Sequence, residues 1–203
     1  MIYSADSQVW IAELTDDYLG TTGQHFGPFP QPPGAPGQTG SVEAPSLFAR
    51  DGVYYALMGW CCCFCKQGST SFVFIAAHPL GPYKLQVLHA GDLACEAEPP
   101  AMMNGSSFGR PAKARTQTLP TPSNGCNVVS PFATSVVRSQ HSAVIVIDTS
   151  EGNATHVLWV GDRWQQAPDG IKGHDPQYVY PLEFRADGSI EKMRWVDNFT
   201  IAM

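Results

Sequence analysis

Positive charge is scarce in this sequence: 12 Lys and Arg stand against 18 Asp and Glu, for a formal net charge of −6. A surface that neutralises phosphates needs clustered cations, so the balance argues against nucleic acid as a partner. Arg110, Lys113 and Arg115 form a small basic cluster, read as a solvated loop face. Long apolar runs are missing too. None approaches the ~20 residues of a membrane-spanning helix, so no membrane partner is expected. No long stretch repeats its apolar residues at the 3.6-residue helical period. Metal-ligand spacing is also lacking. Structural zinc sites use pairs two to four residues apart, repeated further along, whereas Cys61-Cys62-Cys63-Phe64-Cys65 crowds its thiols with no second pair following. His78 and His89 each stand without a second ligand at metal spacing. No cofactor is therefore expected, and calcium is not readable from the residues.

What the sequence does have points to short strands. With 203 residues it is long enough for a single domain with a substantial core. Its 19 Gly and 17 Pro imply many turns, and 43% hydrophobic residues imply a globular interior. The cysteines are six, adding Cys95 and Cys126, and Asn104, Asn153 and Asn198 are sequon asparagines. Even cysteines with three acceptors favour disulfides and a secreted, glycosylated protein. The pairing stays open, although Cys95 and Cys126 bracket the irregular stretch Gly91–Pro131 and could staple it. Met1-Ile2-Tyr3-Ser4 runs straight into a strand pattern with no signal peptide. The natural N-terminal part is accordingly expected to be absent.

Taken in order, Met1–Gly23 contains a short strand, then Val9–Leu14 and an acidic solvated turn at Asp16-Asp17. Gln24–Ser41, rich in Pro and Gly, is a loop. Ser46–Arg50 and Val53–Met58 flank Asp51-Gly52, a strong hairpin signal. Just ahead of it, Glu43 precedes Ala44-Pro45. Proline holds the residue before it out of the α region, so the carboxylate is expected on extended backbone. Ser71–Ala77 is a strand ended by His78-Pro79-Leu80-Gly81-Pro82-Tyr83. Val136–Asp148 is another, and its apolar run Ala143–Ile147 predicts burial on both faces. His156–Val160 pairs back on it, and Tyr178–Phe184 with Ser189–Val196 form a last hairpin around Asp187-Gly188. Such strands specify an all-β sandwich or propeller, and periodicity alone does not choose between them.

Glu43-Ala44-Pro45, its strand, Asp51-Gly52 and Tyr54-Tyr55 resemble the acid-bearing hairpin of glycoside hydrolase family 43, the five-bladed β-propeller glycosidases. Val157–Trp164 (VLWVGDRW) and Pro168–Pro181 resemble the last blades of the subgroup that includes exo-β-1,3-galactanases, and Met1–Leu19 a middle blade. The resemblance implies a partial propeller of about three blades across residues 1–203, the first blades lying outside it. It implies hydrolysis of a β-galactan-type polysaccharide or oligosaccharide by inversion. Glu43 matches the general acid. Gln140, in Ser139-Gln140-His141-Ser142, matches a glutamine that serves as base through its imidic tautomer. An ordinary amide accepts protons poorly, so that role needs a dedicated hydrogen-bond setting.

Trp60 and Trp164 are candidate sugar platforms or, equally, core aromatics. Asp162 and Arg163 could bind sugar hydroxyls or brace a turn together. His174-Asp175 has the same ambiguous status. The triple cysteine after Trp60 departs from the galactanase pattern and leaves the substrate open. Without early blades the chain alone is expected to be inactive and poorly soluble. Two other readings remain: a secreted carbohydrate-binding or structural propeller without catalysis, and an arabinan- or xylan-cleaving relative.

Overall fold

A computed structural model describes residues 1–30, 42–60, 71–86, 139–148, 155–193 and 196–201. Sheet A holds β1 (Ile2–Ala5), β2 (Gln8–Leu14) and β3 (Thr21–Phe26). Sheet B holds β4 (Val42–Arg50), β5 (Val53–Trp60), β6 (Ser71–Ala76) and β7 (Lys84–Leu85). Sheet C holds β8 (Gln140–Asp148), β9 (Thr155–Asp162) and β10 (Gln177–Pro181). Consecutive strands pair antiparallel, in the orders β1-β2-β3, β4-β5-β6-β7 and β10-β9-β8. The architecture is all-β, in three small meanders, as expected of propeller blades. Among the described residues the helical structure is one 3-10 turn, Lys172–His174, and no helix is long and apolar enough to cross a membrane. All six cysteines, the basic cluster, Asn104 and Asn153 lie outside the described residues, whereas Asn198 is exposed.

Period-two alternation organises the core around sheet B. On β5, Tyr55 and Leu57 join Phe48, Val73, Val157, Trp159, Tyr178 and Tyr180 in the layer facing sheet C. Ala56 and Met58, one residue out of phase, join Val9, Ile11, Phe29, Val42, Phe72 and Phe74 in the layer facing sheet A. Successive strand side chains leave opposite faces, so sheet B is covered on both sides. Among the described residues β1, β4 and β8 are edge strands of their sheets, and β4 lies against both β1 and β8.

Two further ties bind the C-terminal segment to sheet B. Tyr55 donates from its hydroxyl to the Gly188 carbonyl at 2.7 Å. Gln86 uses its side-chain amide as a strand uses its backbone: Nε2 donates to the Ile190 carbonyl and Oε1 accepts from the Ile190 N–H, each at 2.8 Å.

Several local expectations need correction. Thr21–Phe26 is a strand, so the loop expected from Gln24 begins after Phe26. Its side chains are mostly exposed, and an edge strand without an apolar face carries no alternation to detect. Glu43 lies in strand β4 as expected, but the residue before Pro45 is left-handed: Ala44 has φ +50°. Proline bars the right-handed α region to the residue before it, and a bulge here takes the chain to the left-handed one. β8 is not buried on both faces: Ile145 is 48% and Val146 42% exposed. The last hairpin is short. β10 ends at Pro181, and beyond it, among the described residues, one bridge, Phe184 to Ile190, closes over the Asp187-Gly188 turn.

Candidate active site

Two bulges place the site. Along β4 and β5, Glu43 pairs with Gly59 and Ser46 with Leu57, so three steps on β4 match two on β5. The extra residue inverts the alternation. Val42 packs toward sheet A, which sends Glu43 toward sheet C; beyond the bulge Phe48 packs toward sheet C, and Ser46 shares its face. Glu43 and Ser46 would face opposite ways on a regular strand. Here both point at β8. The second bulge lies in β8 itself, where His141 pairs with Gly161 and Ala143 with Val160; Ser142 is the extra residue, and its hydroxyl donates to the Val160 carbonyl at 3.2 Å.

Glu43 and Gln140, 97 positions apart, meet between these bulges. Gln140 Nε2 donates to Glu43 Oε1 at 2.8 Å, and Gln140 Oε1 accepts from Trp164 Nε1–H at 2.7 Å. The amide's orientation follows from chemistry. Indole N–H can only donate, so the atom facing it must be the oxygen, which leaves the NH2 for Glu43. The expected separation differs: an inverting pair stands roughly 6.5–9.5 Å apart to admit water, whereas these two groups are in direct contact.

One residue on, His141 is fully enclosed. Its Nε2 lies 3.1 Å from Ser46 Oγ, and its ring centroid is 5.7 Å from that of Trp159. Burial pushes the imidazole down to about 3, so it is neutral at physiological pH. His141 Nδ1 and Trp159 Nε1 are buried without a hydrogen-bond partner among the described residues. Trp159 fits only because position 161 is glycine: a Cβ there would stand 2.2 Å and 2.5 Å from two of its ring atoms.

The other expected site residues take separate positions. Trp60 ends β5 opposite Val42, and its side chain lies outside the described residues. Asp162 accepts from Gln177 Nε2 at 3.2 Å, and Arg163 reaches Gln166 Oε1 with Nε at 2.9 Å and Nη2 at 2.7 Å. Trp164 carries the Lys172 ammonium over its ring, 4.8 Å from the centroid. Asp175 braces the loop that follows: its carboxylate accepts the backbone N–H groups of Gln165, Gln166 and Ala167. Desolvation opposes its ionisation, but those bonds hold its pKa below the ordinary value. Sequence reasoning passed over Ser46 and His141, although both belong to the stretches that drew attention to Glu43 and Gln140. Among the described residues no group of three or more His, Cys, Asp or Glu could hold a metal ion.

No protein-family model matches the sequence, and no curated protein matches it significantly. Solved structures do. A family-43 β-1,3-galactosidase with galactodeoxynojirimycin matches 98% of the chain at 20% identity and a TM-score of 0.57, over 42% of its own length. An exo-β-1,3-galactanase from Clostridium thermocellum matches 91% at 20% identity and a TM-score of 0.50, over 28% of its length. An exo-β-1,3-galactanase from Phanerochaete chrysosporium, solved with galactose, matches 95% at 16% identity and a TM-score of 0.52, over 31% of its length. The chain thus spans less than half of each of these structures. The chain has the fold of part of the family-43 β-1,3-galactosidases and galactanases.

Proposed function

We propose that the chain carries the acid-bearing part of a glycoside hydrolase that cleaves a β-galactan-type polysaccharide by inversion, with Glu43 as general acid. The observation that carries this reading is the Glu43–Gln140 hydrogen bond, which joins the two candidate catalytic side chains between the adjacent strands β4 and β8. The fold shared with galactosidases and galactanases supports the substrate class. In this mechanism Glu43 protonates the glycosidic oxygen as the bond to the anomeric carbon breaks, while a water attacks from the opposite face. Gln140 is the candidate base. In the observed arrangement it orients the acid instead, and the Trp164 N–H on its oxygen favours the amide over the imidic form, because an amide oxygen is the stronger acceptor. Acting on water therefore requires Gln140 to part from Glu43 when sugar enters.

A non-catalytic carbohydrate-binding module is the second reading. The closed chain Trp164–Gln140–Glu43 favours it, since each group there already satisfies another. Glu43→Gln in the full-length protein separates the two. Loss of the acid should cut cleavage of natural galactan by at least ~100-fold, and cleavage of an activated aryl galactoside much less, with sugar binding retained. Equal cleavage of natural galactan by variant and wild type ends the catalytic assignment. Binding without cleavage by the wild type selects the module.

A further inference from the structure

We infer that His141 and Ser46 form a latch between the two bulges, and that this latch fixes the approach of Gln140 to Glu43. Two side-chain rungs cross from β8 to β4: Gln140 to Glu43 at 2.8 Å, and His141 to Ser46 at 3.1 Å. Their feet are adjacent on β8. On β4 they are three residues apart, the length of the bulge. A bulge is the place where strand register is least specified by pairing, and a shift of one residue sends a side chain to the other face. Migration of the β4 bulge past Glu43 would turn its carboxylate away from β8. Migration the other way, past Ser46, would turn Ser46 away and break the second rung. Both side chains therefore face β8 only while the bulge stays between them, and the second rung holds β4 to β8 one residue from Gln140.

The imidazole is suited to this. It is rigid, fully enclosed, and backed by Trp159, whose ring the bare Gly161 admits. A serine hydroxyl can donate or accept, so the bond persists in either neutral tautomer of the ring. His141 acts through Glu43 and Gln140 and is therefore a positioning residue. The catalytic consequence rests on the function proposed above; the geometric one does not.

The test is made on the full-length protein, with the Gln140 side-chain amide observed by NMR and identified through its loss in Gln140→Leu. In the wild type one Nε2 proton should be shifted by its bond to Glu43, and Glu43→Gln should move that signal. Ser46→Ala should move it the same way while the amide signals of β9 stay in place, and Ser46→Thr, which keeps the hydroxyl, should restore it. Where galactan is cleaved, Ser46→Ala should lower kcat at least tenfold with KM changed less than twofold. A Gln140 signal unmoved by Ser46→Ala in a folded protein overturns the latch. Should Ser46→Ala not fold, the wild type still decides. On heating, the ring-nitrogen signal of His141 and the Gln140 amide signal should change together before those of β9, and independent changes overturn the inference. A wild type that cleaves no galactan overturns the proposed function and leaves the NMR result to judge the latch.

Discussion

Replacing Gln86 by leucine tests whether one buried amide fastens the C-terminal segment to sheet B. Gln86 is 5% exposed and Ile190 3%, so water cannot take over either bond if the amide is lost. Gln86→Leu keeps the approximate shape and leaves the Ile190 N–H and carbonyl without partners. Each such group costs about 1–3 kcal/mol, or about 2–6 together. Against this, leucine gains about 1–2 kcal/mol from apolar burial in place of a desolvated amide. The net expectation is a loss of about 0–5 kcal/mol, with a middle value of about 2–3. Urea unfolding followed by tryptophan fluorescence measures it, provided the m-value is unchanged. Hydrogen exchange localises it: the Ile190 amide should exchange at least ~10-fold faster, because its bond opens locally without global unfolding. The Tyr55–Gly188 bond holds the same segment and should keep the fold intact. A variant within about 0.5 kcal/mol of wild type, with the Ile190 amide equally protected, would refute the reasoning.

Two further outcomes follow from the ground beneath the site. Gly161→Ala puts a methyl group into the Trp159 ring, and overpacking of about 1–3 kcal/mol should lower Tm by roughly 2–12 °C; an unchanged Tm in a calorimetric scan would mean the ring moves aside freely. His141 should make the protein acid-sensitive: with its folded pKa about 3 against about 6.5 unfolded, the unfolded state binds the extra proton below pH 6.5. Stability attributable to His141 is full above that pH and falls by about 2 kcal/mol by pH 5, so His141→Phe should show a shallower acid loss in denaturant titrations, and parallel profiles would contradict the assignment.

What could be read in the sequence was whatever depends on local rules. Asp51-Gly52 takes positive φ at both residues, the type I′ turn that dipeptide favours. The strands around it follow from alternation, and Glu43 and Gln140 stood out only through resemblance. The turn between β1 and β2 has the same left-handed pair at Asp6 and Ser7, but without glycine it left no mark in the sequence. β3 was hidden because TTGQHF buries almost nothing. Gln86 looked like any polar residue at a strand end, since its partner lies 104 positions away. The bulges were illegible for a deeper reason. A bulge is defined by two residues standing opposite one, and that count exists only once both strands are paired.

The illegible features are also the ones that build the site. Regular strands ask only for alternation, which many sequences supply, and the three meanders and their two apolar layers need little more. Alternation by itself would put Glu43 and Ser46 on opposite faces of β4. One extra residue brings both toward β8, and a glycine at position 161 opens the space in which Trp159 backs His141. The indole of Trp164 then decides which end of the Gln140 amide meets the carboxylate. Each of these is a departure from the rule that formed the strand carrying it. The geometry of the candidate site therefore depends less on the Glu-Ala-Pro motif than on the register shifts around it, since the same motif on an unbulged strand would set Glu43 and Ser46 on opposite faces and lose one of the two rungs to β8.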